Sequence, residues 1–208
     1  MARITEISEQ KRNKRRVNIY LDGSFFCGLL LSTVVKNGLA VDDEITESRL
    51  EKLQFESERE VAYDKSLTYV SKAMKTKKQV KEYLQGKGYL PQIVDYCIKK
   101  LTEYSFINDE EYCKSYVRTY KNSKGAKMID RELKLKGIDF NLVEKAIDSE
   151  YDTAKETSEK LVRKYLKNKE LTKENLAKAY KYLLSKGFSY EECSSAISAL
   201  KGDEWNEF

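Results

Sequence analysis

The chain contains no histidine. A histidine general base is therefore excluded, and so is the commonest nitrogen ligand of a zinc site. Cysteine is sparse: Cys27, Cys97, Cys113 and Cys193 stand far apart, with no Cys-x-x-Cys spacing for a metal or for disulfide exchange. Cys97, Cys113 and Cys193 fall on or beside apolar stripes, where a thiol packs as a small core residue. Pro91 is the one proline in 208 residues, so little interrupts helices. No apolar run reaches about 18 residues and no signal-peptide pattern opens the chain, so a cytoplasmic protein without a membrane span is expected. The glycine-rich phosphate loops and the Gly-x-Ser-x-Gly elbow are absent as well. Gly125, in Ser123-Lys124-Gly125-Ala126-Lys127, lacks the rest of such a loop, and the pairs Glu110-Glu111 and Asp203-Glu204 read as a helix first turn and a tail. An enzyme is the weaker class, and no cofactor or metal is expected.

What the chain does contain is one pattern written three times. Leu84 to Ile98, Leu133 to Ile147 and Leu183 to Ile197 share a register anchored on Lys-Gly pairs. Their glycines, Gly88, Gly137 and Gly187, are 49 and 50 residues apart, a spacing that marks repeated supersecondary units. Apolar residues recur eight before the glycine (Val80, Ile129, Ala179) and ten after it (Ile98, Ile147, Ile197). The register also reaches upstream to Leu67, Tyr116 and Leu166.

Each unit reads as three helices. The first carries a stripe at helical spacing, such as Tyr112, Tyr116 and Tyr120 with Cys113 and Val117 beside it. The second begins at Thr76-Lys77-Lys78-Gln79, a capping box in which hydroxyl and amide each satisfy an orphan backbone N–H. It ends at the Lys-Gly pair, since glycine just past a helix accepts the left-handed conformation and lysine suits the dipole there. Asp139 and Ser189 are N-caps for the third helix, and Pro91 falls at its first position in the first copy. The glycines are read as architectural: they stop helices.

Taken in order, Ile4 to Ile7 alternate, and a basic run leads into Val17 to Phe26, where Asp22-Gly23 signals a hairpin. Ser32 is expected to cap a short helix that Gly38 ends, and Asp42 to Glu60 reads as an acidic helix linking the ribbon to the first repeat. The expected fold class is mainly α, with tandem three-helix repeats and a small N-terminal β-ribbon. Its divisions are residues 1–60 for the ribbon and acidic helix, then repeats over 61–108, 109–150 and 151–208. Trp205 and Phe208 close the tail.

The net charge of +5 is unevenly spread: +4 over residues 1–38, −5 over 39–61, +6 over 62–148 and 0 beyond. Lys77, Lys78 and Lys81 crowd the start of one second helix, and Lys124, Lys127, Arg131 and Lys134 the start and face of the next. Cations at a helix N-terminus oppose its macrodipole unless an anion docks there. The expectation is that these helix starts receive phosphates or the carboxylates of an acidic protein; the alternative is that the lysines lie scattered on solvated faces. Arg12, Lys14, Arg15 and Arg16 form a second cluster, which either contacts a nucleic-acid backbone or protects an exposed strand edge.

Tyr20-Leu21-Asp22-Gly23, the basic helix from Thr76 to Gly88, Phe106-Ile107-Asn108-Asp109, and Glu132 to Ile138 together resemble the RecX family of recombination regulators. The resemblance covers nearly the whole chain and is looser in the third copy and over Cys27 to Leu31. It implies a non-catalytic protein of tandem three-helix modules in an elongated curved array, lying in the groove of the RecA–DNA filament; the chain is expected to be a monomer. It further implies inhibition of recombinase ATP hydrolysis, strand exchange and coprotease function, in DNA repair and the SOS response. The other readings are a stand-alone nucleic-acid-binding helical module and a helical scaffold for an unrelated acidic protein.

Overall fold

The computed structural model describes residues 1–11 and 13–204, the side chains of 201–204 excepted; Arg12, Trp205 and Phe208 lie outside the described residues. The chain divides into two compact units, Met1–Ala73 with Lys81–Phe106, and Met74–Val80 with Ile107–Phe208.

In the first unit β1 (Ala2–Gln10), β2 (Asn13–Leu21), β3 (Ser24–Leu30) and β4 (Glu44–Ile45) form an antiparallel sheet in the order β3-β2-β1-β4. Asp22 and Gly23 both take positive φ, 47° and 83°, as a two-residue type I′ connection requires. The expected ribbon is thus real but larger than two strands. Its inward residues Ile4, Val17, Ile19, Leu21, Cys27 and Leu29 are buried against Val34, Ile45, Leu50 and Leu53.

The short helix α1 (Leu31–Lys36) starts two residues earlier than expected: Leu30 is its N-cap, so Ser32 lies inside the first turn rather than at the cap. Gly38, at φ 61°, follows its end as foreseen. The acidic helix starts later than expected. Asp42 sits at φ 77° and Glu44–Ile45 pair with β1, so α2 (Glu47–Val70) begins only at Thr46, whose hydroxyl accepts from Arg49 N–H at 3.3 Å. With no glycine or proline inside it, α2 runs unbroken across residue 60. Its first half covers the sheet, and its second half packs on α4 (Pro91–Glu103), beside α3 (Lys77–Gln85). Tyr69 stacks on Tyr83 there, with ring centroids 4.1 Å apart.

In the second unit α5 (Asp109–Tyr120), α6 (Ala126–Leu135) and α7 (Phe140–Glu150) bury Cys113, Val117, Ile129, Leu133, Ile138, Val143 and Ala146. Helices α8 (Ala154–Leu166), α9 (Lys173–Ser185) and α10 (Tyr190–Glu204) bury Val162, Leu166, Ala179, Leu183, Phe188, Cys193 and Ala196 in the same register. The expected caps are present: Asn108 accepts from Glu110 and Glu111 N–H, Asp139 from Asn141 N–H, and Ser189 and Glu192 exchange a capping box. All four cysteines are buried and reduced. Burial pushes the thiols of Cys27, Cys97 and Cys113 up to about 11, which makes them inert packing groups.

The three Lys-Gly helix ends are built alike. Gly88, Gly137 and Gly187 stand at φ 82°, 79° and 89°. The next residue donates its N–H back to the carbonyl five positions earlier, at 3.3 Å each time: Tyr89 to Leu84, Ile138 to Leu133, Phe188 to Leu183. That is the wide hydrogen bond of a Schellman motif, which the left-handed glycine before the donor makes possible.

Candidate partner-binding surface

A helix start offers orphan N–H donors and a positive dipole end; a helix end offers orphan carbonyls and a negative one. This chain joins the two. The Thr76 hydroxyl, at the N-cap of α3, donates to the carbonyl of Lys136 at 2.9 Å, beyond the end of α6. Two residues on, Lys78 Nζ donates to the carbonyl of Leu135 at 3.0 Å, and its stem lies over Gly137. One repeat later the geometry recurs. The Gly125 N–H, at the N-cap of α6, donates to the carbonyl of Lys186 at 2.9 Å, and the Lys127 N–H to that of Gly187 at 3.2 Å. Met128 takes the place over Gly187 that Lys78 takes over Gly137.

These joints use part of the hydrogen-bonding capacity of the two helix starts within the chain. At the start of α3 the Thr76 N–H donates to the Gln79 side-chain carbonyl at 3.1 Å, the Gln79 N–H donates to the Thr76 hydroxyl at 3.2 Å, and the Asp109 carboxylate accepts from Lys77 N–H at 3.0 Å. The start of α6 is spent on Lys186 and Gly187. Among the described residues, the Lys77 and Gln79 N–H groups at the start of α3 and the Gly125 and Lys127 N–H groups at the start of α6 are thus satisfied within the chain.

Lys124, which precedes α6, donates to both carboxylate oxygens of Glu132 at 2.8 and 2.6 Å, and its Nζ lies 4.0 Å from the Tyr120 ring centroid. The Tyr116 hydroxyl donates to the same carboxylate at 2.6 Å. Burial alone would raise the Glu132 carboxyl; the hydrogen bonds from Lys124 and Tyr116 outweigh it and hold the group below the usual carboxylate range. Burial, then the bond to Glu132, pushes the Tyr116 phenol well above its ordinary value. This network fastens α5 to α6. Lys134 pairs with Asp130 at 2.8 Å and lies over the Phe140 ring at 4.7 Å.

Most of the predicted residues, Lys78 among them, are open to solvent, while Lys124 and Arg16 are half buried. Lys77 and Lys81 lie one turn apart on α3, and Lys127 and Arg131 one turn apart on α6 with Lys134 in line. All are exposed, and among the described residues Lys77, Lys81, Lys127 and Arg131 have no ion-pair partner. Lys127 leans toward the Tyr190 ring, 5.4 Å from its centroid. In the sheet, Lys14 and Arg15 are exposed, whereas Arg16 is half buried and donates to the carbonyl of Gly28 at 3.1 Å. A cleft of about 490 Å³ between α1 and α2 is lined by Lys36 and Arg59 but equally by Glu56 and Glu60, so it carries no net attraction for an anion. The described residues contain no cluster of metal-binding side chains and no helix long and apolar enough to cross a membrane.

The sequence reading missed Thr76, Gly125, Gly137 and Gly187 as joint residues. The signal was available: Thr76 and Gly125 both stand twelve residues before their own glycine.

Four family models match successive segments of the chain. The family model described as the regulatory protein RecX N-terminal domain matches residues 2–46. Those of the first, second and third RecX three-helix domains match 62–101, 108–147 and 148–197. The regulatory protein RecX of Bacillus licheniformis is 32% identical over 204 residues, covering 95% of this chain and 77% of its own. That of Clostridium perfringens strain 13 is 32% identical over 212 residues, with both chains fully covered. A crystal structure of regulatory protein RecX superposes with a TM-score of 0.66 at 28% identity, covering 95% of this chain and all of that one. The structure of RecX from Lactobacillus salivarius gives a TM-score of 0.61 at 31% identity, over 69% of this chain and 96% of its own. With a sheet at its N-terminus, three helical triplets in one register and matches to all four domains, this chain belongs to the RecX family of regulatory proteins.

Proposed function

We propose that this chain is a non-catalytic regulator that binds in the groove of the RecA–DNA filament and inhibits recombinase ATP hydrolysis, strand exchange and coprotease action. Its parts are the N-terminal segment 1–60 and repeats 61–108, 109–150 and 151–208. The reading rests on one observation above all: Lys77 and Lys81 on α3, and Lys127 and Arg131 on α6, are exposed cations without an ion-pair partner among the described residues. Two successive repeats thus each carry free positive charge on their second helix, suited to a polyanionic assembly. Several weak contacts on one chain add through effective concentration, so binding is multivalent. Lys14 and Arg15 add a further contact from the sheet.

The test is co-sedimentation of the chain with preformed recombinase filaments, beside its retention on bare single- and double-stranded DNA. Preference for the filament, falling steeply with salt, supports the reading. Equal binding to bare DNA supports a stand-alone nucleic-acid-binding module instead, and binding to neither removes both.

A further inference from the structure

The chain contains three Lys-Gly helix ends of one geometry, and uses two of them. Lys136-Gly137 receives the start of α3, and Lys186-Gly187 receives the start of α6. Lys87-Gly88, at the end of α3, receives nothing from the described residues. A Cβ built on Gly88 meets no heavy atom within 4 Å, whereas one on Gly137 meets Lys78 and one on Gly187 meets Met128. The carbonyls of Lys136 and Lys186 accept the Thr76 hydroxyl and the Gly125 N–H; that of Lys87 accepts no hydrogen bond from the described residues. Leu90, two residues on, is 55% exposed.

We propose that the Lys87-Gly88 helix end is a docking site for the start of an α-helix on a partner protein. The occupant is defined by the two filled joints. Its N-cap is a residue that brings a donor close, as Thr76 brings a hydroxyl and Gly125 a bare N–H. Within its first turn the occupant rests directly on the glycine, through a side-chain stem as Lys78 does on Gly137 or through backbone and Cβ as Met128 does on Gly187. Its positive dipole end meets the carbonyls at the end of α3, so orphan donors and orphan acceptors satisfy each other. A second copy of this chain is a poor occupant. The starts of α3 and α6 are taken, and α9 begins three residues earlier in register than α3, so its cap, Thr172, cannot stand where Thr76 stands. The proposal rests on the reading of this chain as a filament regulator, and names the protein component, rather than DNA, as what meets this surface.

Two variants test it. Gly88→Asn keeps the left-handed conformation that asparagine tolerates while filling the open space. Leu90→Cys places a single exposed thiol beside the site, and the four native thiols are buried, so a benzophenone maleimide attaches there alone. Both are assayed with preformed recombinase filaments, with the thermal midpoint of each variant as a folding control. The expected result is a cross-link mapping to the first turn of a recombinase helix, together with about tenfold weaker filament binding by Gly88→Asn, the scale of a lost interface anchor. Cross-links to DNA or to no helix start, with Gly88→Asn binding as the parent does, overturn the docking site while the regulatory reading stands. A parent chain inert toward filaments overturns the regulatory reading and the proposal with it.

Discussion

Gly125 and Gly187 lie backbone against backbone: the Gly125 N–H donates to the carbonyl of Lys186 at 2.9 Å, and a Cβ on Gly125 would overlap the Gly187 carbonyl. Gly125 takes φ −75°, open to any residue, so its lack of a side chain serves the close approach alone. Gly187 serves twice, as a left-handed helix end and as the surface on which Met128 rests.

A stability series follows from that pair. Gly88→Ala is expected to cost about 1 to 2 kcal/mol, the left-handed penalty by itself. Gly125→Ala bears no such penalty, and overpacking costs it about 2 kcal/mol. Gly187→Ala bears both, about 3 kcal/mol in all, and Gly137→Ala falls between Gly88→Ala and Gly187→Ala because the Lys78 stem can move. Urea unfolding of the four variants checks the order; equal losses at Gly88 and Gly187 would mean that the joint adds nothing.

The sequence made the modules legible because their signals are local. Capping boxes at Thr76 and Ser189, the Asn108 and Asp139 caps, and the helix-ending glycines each act within one turn, so spacing alone displays them. Contacts between modules were not legible. Nothing about Lys78 or Lys124 in isolation says that one reaches a carbonyl of the next repeat or that the other clasps Glu132. The start of α2 was misplaced for a similar reason: the pairing of Glu44–Ile45 with β1 is a tertiary event that overrides an acidic, helix-like stretch.

The basic residues should separate by experiment into two groups. Lys127→Glu with Arg131→Glu is expected to weaken filament binding about tenfold and to flatten its salt dependence, with the melting temperature unchanged. Lys124→Met removes the partner of Glu132 and should cost about 1 to 2 kcal/mol of stability. A binding loss without a stability loss at Lys124 would reassign it to the partner surface.

Acid should act through Glu132. Its carboxyl is held below the usual value near 4.5 in the folded protein, so its contribution is fully present above that pH and is lost as pH falls through the lower, folded value. Glu132→Gln is expected to be less stable at neutral pH and to lose less on acidification than the parent. Parallel stability-versus-pH curves for the two proteins would show that the Lys124–Glu132–Tyr116 network carries none of the acid sensitivity.

Thiol chemistry offers a check on the core. Cys27, Cys97, Cys113 and Cys193 should resist an aromatic disulfide reagent at pH 8 in the folded state and react together in urea. Fast reaction of one thiol in the native protein would show that its module opens locally.

The most direct test of the central claim is the rate of ATP hydrolysis by recombinase on single-stranded DNA, measured as this chain is added. A progressive fall that the Lys127→Glu, Arg131→Glu double variant reproduces only at about tenfold higher concentration is the expected result. A hydrolysis rate indifferent to the chain at every concentration would contradict it.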